Sequence, residues 1–201
     1  MIGLKRITTK DKILSSAARL FSERGYDRVT VREIAKDVGI NSSSLYNHFV
    51  SKEEILKSLY NYYSERMHEA YPDIDELLLL AETDPPHEVL MKTEFHFDEG
   101  VRGLLDKILV TAARMICDDA ENERFIRENI FDSISNTLRP LLEKMVELGK
   151  IKPFDIDTFI RVMTCYCFSA AALNNSPFMQ SVAEYQAGMS FIFLMIVPIE
   201  E

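Results

Sequence analysis

The chain has 201 residues, 47% of them hydrophobic, with only seven glycines and seven prolines, which is enough for a proper core in one large or two small domains. A net charge of −9 speaks against a nucleic-acid binder until it is divided, because residues 1–60 carry +4 and residues 61–201 carry −13. A basic head on an acidic body points to a nucleic-acid partner for the head alone, with the body repelled from the phosphate backbone.

Apolar residues recur at three-and-four spacing and no run of strands is evident, so the fold class is all-α. The first helix begins at Thr8 or Thr9 and runs to about Arg24. Ile13, Leu14, Ala17, Ala18, Leu20 and Phe21 form its apolar face, and Gly25 ends it. Lys5, Arg6 and Lys10 precede or open this helix, as a solvated end or as an arm touching phosphate.

The stretch TVREIAKDVGINSSSLYNHF, Thr30 to Phe49, reads as two short helices around a glycine turn. Thr30 is an N-cap, and Glu33 three residues on completes a capping box. Val31, Ile34, Ala35 and Val38 bury one side of the first helix, and Gly39 supplies the left-handed stop. Asn41 or Ser42 caps the second helix, whose inward residues are Leu45 and Phe49. Its other side carries Ser42, Ser43, Ser44, Tyr46, Asn47 and His48, all hydrogen-bonding types and none acidic. A short helix presenting that set beside a tight helical turn has the form of a DNA recognition helix.

Ser51 starts a fourth helix, with Glu54 as its capping-box partner, reaching about Tyr71 before Pro72. Lys52 lies in its first turn, where the helix dipole disfavours a cation; a phosphate beside the turn would remove the objection. This gives a domain plan of 1–50 for the helix-turn-helix head and 51–201 for the helical body, joined by the helix 51–71. In the body, helices are expected at 74–82, 88–97, 104–117, 122–148 (with a kink at Pro140), 155–173 and 180–197.

These residues carry a resemblance. IL..A..LF...GY at Ile13–Tyr26, TV.EIA...GI at Thr30–Ile40 and S.LYNHF.SKEE at Ser43–Glu54 resemble the DNA-binding domain of the tetracycline-repressor (TetR/AcrR-type) transcriptional regulators. The likeness covers about a quarter of the chain. It implies a homodimer that binds a palindromic double-stranded DNA operator, usually as a repressor, and releases it when a small-molecule effector binds the body. It implies that Ser42, Ser43, Ser44 and Asn47 face bases or nearby phosphates. Tyr46, His48 and Lys52, with Thr30 and Arg32, would hold the backbone. Ser44 stands where the family usually has glycine or another small residue, so base contacts differ there. Serines pair with any base edge, so DNA shape carries part of the specificity.

The body is rich in Met, Phe, Tyr and Cys. Met91, Phe95, Phe97, Met115, Phe125, Phe131, Met163, Tyr166 and Phe168 are candidates for an apolar ligand cavity, or are plain core. Glu94, Asp98 and Glu99 form an acidic stretch that favours a cationic ligand or, more simply, a solvated face. Phe159, Val162, Met163, Tyr166, Phe191, Leu194 and Met195 are candidates for a four-helix dimer interface, against burial within one subunit.

No enzyme chemistry is legible. The four histidines make no metal-ligand pattern, and no glycine-rich phosphate loop is present. Cys165 and Cys167, two apart on a helix, diverge by about 200°, so no metal and no cofactor are expected. Three cysteines without a disulfide framework fit buried reduced thiols in a cytoplasmic protein. MIGLKRITTKDK lacks the apolar core of a signal peptide, and the longest apolar run, Phe191–Val197, falls far short of the ~20 residues that span a bilayer. The reading is a ligand-responsive repressor. An activator of the same family, or a helical ligand-binding or scaffold dimer with a vestigial head, stays open beside it.

Overall fold

The computed structural model describes residues 8–94, 97–115, 120–173, 182–194 and 196. All regular structure among them is helical: α1 (Thr9–Arg24), α2 (Val31–Val38), α3 (Ser42–Tyr46), α4 (Lys52–Ala70), α5 (Ile74–Thr83), α6 (Pro86–Met91), α7 (Glu99–Arg114), α8 (Ala120–Ile126), a π-helical segment (Arg127–Asp132), α9 (Ser133–Glu147), α10 (Ile156–Leu173) and α11 (Val182–Leu194). No described helix is long and apolar enough to cross a membrane.

Two compact units result. The first comprises described residues up to Arg66 with those from Phe97 to Glu123, and the second those from Met67 to Glu94 and from Arg124 onward. Contacts therefore group the start of α4, and all of α7, with the helix-turn-helix, whereas the functional plan cuts at residue 50.

In the first unit the apolar stripes of α1 to α4 close on one another. Ile13, Ala17, Phe21, Ile34, Leu45, Ile55 and Leu59 have no exposed surface. Local caps fix the ends. Thr8 accepts from Asp11 N and Asp11 returns a bond to Thr8 N, a full capping box. Asp98 caps α7 through Val101 N at 3.0 Å, so α7 starts five residues before the expected 104 and contains Gly100 and Gly103.

The second unit packs α5, α6, α9, α10 and α11 around Leu77, Leu90, Leu141, Leu142, Met145 and Met163. Lys144 pairs with Glu82 at 2.8 Å between α9 and α5. Pro86 occupies the first turn of α6, where its missing N–H has no intrahelical partner to lose. Hence α6 starts before the expected 88 and closes at Met91. Between α8 and α9 the backbone does not simply continue as α-helix: residues 127–132 are π-helical, ahead of Pro140, which lies inside α9.

Candidate nucleic-acid interface

The helix pair is held by bonds between near neighbours in sequence. Thr30 Oγ1 accepts from Glu33 N at 3.3 Å, while Thr30 N donates to Glu33 Oε2 at 2.8 Å. The bond from Thr30 N, then the Arg24 guanidinium at 2.7 Å, hold the Glu33 carboxyl down at about 2. Gly39 ends α2 at φ 78°, a left-handed conformation that costs a residue with a Cβ about 1–2 kcal/mol. Asn41 Oδ1 then accepts from Ser44 N at 2.7 Å and starts α3. The α-helical turns of α3 stop at Tyr46, three residues short of Phe49, although Phe49 N still donates to Leu45 O at 3.1 Å.

Leu45 and Phe49 are buried at 0% and 1% exposure, which fixes the opposite side of α3 outward. Tyr46 is 52% exposed. Ser43, Asn47, His48 and Arg32 are exposed as well, whereas Ser42 and Ser44 are half-buried. No acidic residue occurs between Asp37 and Glu53. The α3 stretch therefore offers donors and acceptors and no carboxylate of its own; the Glu54 carboxylate near its end is engaged by Val50 N.

Three features differ from their sequence reading. Lys52 Nζ donates to Tyr26 O at 2.9 Å and Val29 O at 3.1 Å, and lies 4.1 Å from the Tyr26 ring centroid. Its unfavourable place in the first turn of α4 is thus answered by two carbonyls from the α1–α2 loop, and one of its three hydrogens remains for a phosphate. Burial, then Glu53 and Asp27, push the Tyr26 hydroxyl up to about 12. The Thr30 hydroxyl donates to Glu33 Oε2 at 2.8 Å, so its hydrogen is engaged in the cap rather than offered to DNA. Ser51 Oγ accepts from Glu54 N at 3.1 Å, but Glu54 returns its bond to Val50 N instead of Ser51 N.

Lys10, read from the sequence as a solvated end or an arm touching phosphate, and Val50, not singled out there, border this surface. Lys10 Nζ lies 5.4 Å from the Phe49 ring centroid, which brings the start of α1 beside the end of the helix pair. Val50 is 79% exposed just past α3. An apolar residue there leaves no periodic signal. Lys5 and Arg6 fall outside the described residues.

α2 is tied to α1 by Asp37, whose carboxylate accepts from Ser16 Oγ at 2.6 Å and Arg19 Nη2 at 2.7 Å. The Ser16 hydroxyl first, then Arg19, lower the Asp37 carboxyl below its usual range.

The body candidates separate. Met163 belongs to the second unit's core, with Met91 and Tyr166 packed against it. Phe125 is buried in the same unit, and Met115 is the C-cap of α7 in the first. Phe131 is 42% exposed, in the π-helical segment. Phe159 is corrected as an interface residue, because it sits in its own unit's core 5.4 Å from the Phe154 ring and 6.5 Å from that of Phe193. Val162 and Phe191 are 51% and 66% exposed. Phe95, Met195 and the side chain of Leu194 fall outside what is described. Glu94 is buried rather than part of a solvated acidic face, whereas Asp98 and Glu99 are exposed.

Residues 13–59 match the model of the bacterial regulatory proteins, tetR family. The chain is similar to the HTH-type negative transcriptional regulator IcaR of the biofilm operon icaADBC of Staphylococcus epidermidis, 38% identical over 97 residues, covering 45% of this chain and 48% of that protein. The chain thus spans about half or less of the curated relatives it matches. Among solved structures it resembles the ketosteroid transcriptional regulator KstR2 of Mycobacterium tuberculosis, with TM-score 0.66, 23% identity and 98% of each chain covered. It also resembles AibR in complex with isovaleryl coenzyme A and operator DNA, with TM-score 0.63, 20% identity and 91% and 96% covered. At these identities the structural likeness speaks for the fold alone.

Proposed function

We propose that the chain is a member of the tetR family of bacterial regulatory proteins, whose model its residues 13–59 match, and that it is a homodimeric transcriptional repressor, released from a palindromic operator when a small, largely apolar ligand binds its second unit. The observation that carries this reading is α3: a capped helix, seated by Leu45 and Phe49, that turns Ser43, Tyr46, Asn47 and His48 outward from a stretch with no acidic residue between Asp37 and Glu53.

In this reading Ser42, Ser43, Ser44 and Asn47 meet base edges or nearby phosphates. Tyr46, His48, Arg32 and Lys10 hold the backbone, with Thr30 and Lys52 chiefly bracing the frame. The effector site draws on Met91, Met163 and Tyr166, and the second copy covers Val162 and Phe191. IcaR, a negative regulator, favours repression over activation.

The test is fluorescence anisotropy on an operator recovered from the DNA upstream of the gene, with Asn47→Ala and Tyr46→Phe. Asn47→Ala is expected to cost about 1–3 kcal/mol on that site and little on random duplex. Tyr46→Phe is expected to weaken both together. Wild-type affinity in both variants contradicts the assignment.

A further inference from the structure

The first unit holds a cleft of about 570 Å³ between α1, the last turn of α2 and the first turns of α7, a size suited to a small ligand. Lys12, Arg19 and Lys107 supply three positive charges to its walls, against Asp37 in the wall and Glu23, which pairs with Arg19 Nη1 at 3.1 Å from outside the lining; Val38 and Leu104 supply apolar surface. Lys12 has no carboxylate partner among the described residues, and Lys107 Nζ donates to Gly103 O of its own helix at 3.1 Å. The Asp37 carboxylate is already seated on the cleft's best anion-binding groups, Ser16 Oγ and Arg19 Nη2. It stands in the last turn of α2, where the helix dipole disfavours an acid, so those two groups are what hold it.

We propose that this cleft is a second binding site, for a small phosphate monoester with a short apolar tail, which binds by displacing the Asp37 carboxylate from Arg19 and Ser16. A phosphate dianion is the better partner for a guanidinium that shares its cleft with two ammonium groups, and it takes the Arg19 Nη2 that Asp37 vacates while Nη1 stays on Glu23 at 3.1 Å. Lys12 and Lys107 take the remaining charge, and Leu104 and Val38 cover the tail. Displacement also cuts one polar tie between α1 and α2, leaving Arg24–Glu33 as the other, and so loosens the helix that sets the position of α3. The effect on DNA rests on the regulatory reading above, whereas the binding and the loosening of α2 do not.

The test uses the full chain and isothermal calorimetry with n-butyl phosphate, with inorganic phosphate and butyrate as headgroup-only and carboxylate arms. One n-butyl phosphate per chain is expected, bound more tightly than either arm. The double variant Lys12→Ala/Lys107→Ala should bind it about tenfold more weakly or worse, the loss of a charge-assisted contact. Asp37→Asn removes the resident competitor and should bind about fivefold more tightly, which a residue that merely stiffened the head would not produce. Saturating ligand should also speed hydrogen exchange in α2. No saturable binding at millimolar n-butyl phosphate, equal binding by the double variant, no gain in Asp37→Asn, or unchanged α2 exchange at saturation each overturns the proposal. Because every readout uses protein without DNA, this failure is distinct from a failure to bind an operator.

Discussion

Lys52 distinguishes a brace from a phosphate contact, and Lys52→Met separates the two. The substitution keeps most of the side-chain stem and removes the ammonium that bonds Tyr26 O and Val29 O and lies over the Tyr26 ring. Hydrogen bonds from a charged donor contribute about 1.5–3 kcal/mol each, and the ring contact adds about 0.5–1 kcal/mol. Against that, about 2 kcal/mol of lysine rotamer entropy is recovered, and water reaches part of the exposed carbonyls. The net expected loss is about 2–3 kcal/mol. With a urea slope of about 2 kcal/mol/M, the midpoint should fall by about 1 M at unchanged slope. Circular dichroism in urea measures this, with operator binding and its salt dependence measured alongside under native conditions. The brace is refuted if stability stays within about 0.5 kcal/mol of wild type while operator affinity drops and the salt slope falls by about one counterion. That pattern would return Lys52 to a purely phosphate role.

Gly39→Ala, forced to the φ of 78° that ends α2, should destabilise the head by about 1 kcal/mol in thermal or urea melts. Tyr60→Phe should cost about 1–3 kcal/mol, because its hydroxyl meets the Asn122 side chain, which has no exposed surface; a stability unchanged in urea would contradict that bond. Glu33 has a folded pKa of about 2 against an ordinary 4.5. Its contribution is present above about pH 4.5 and lost as pH falls toward 2, so Glu33→Gln should flatten the stability profile in that window and leave its neutral-to-alkaline limb alone. Val162→Asp with Phe191→Asp should convert the chain to a monomer in sedimentation without unfolding it, since both are exposed in the single chain; a dimer that persists would move the interface elsewhere.

The helical class and the caps of the head were legible because their causes lie within four residues: Thr8 with Asp11, Thr30 with Glu33, Asn41 with Ser44. Boundaries failed where one local signal was overridden by another. The expected start at 104 leaves Gly100 and Gly103 outside a helix, yet the Asp98 cap carries α7 through both. The expected start at 88 leaves Pro85 and Pro86 outside as well, yet Pro86 suits a first helical turn. The π-helical segment inserts its extra residue without a compositional mark, unlike Pro140, whose place inside a helix is visible in the sequence. Lys52 was legible as an oddity but not as a brace, because its acceptors lie 23 and 26 residues upstream. The exposed set of α3 followed from the burial of Leu45 and Phe49 alone. The body candidates did not separate, since a Phe or Met stripe looks the same whether it faces a core, a cavity or a second copy.

The central claim is that α3 reads DNA, and selection from random duplex followed by affinity measurement across a salt series tests it most directly. The account predicts enrichment of an inverted repeat whose half-site centres lie about 34–36 Å, or a multiple of one helical turn, apart. Affinity for that repeat should fall steeply with salt and be lost in a variant carrying Ser43→Ala and Asn47→Ala. Failure to enrich any sequence, or enrichment that survives this double substitution, would contradict it.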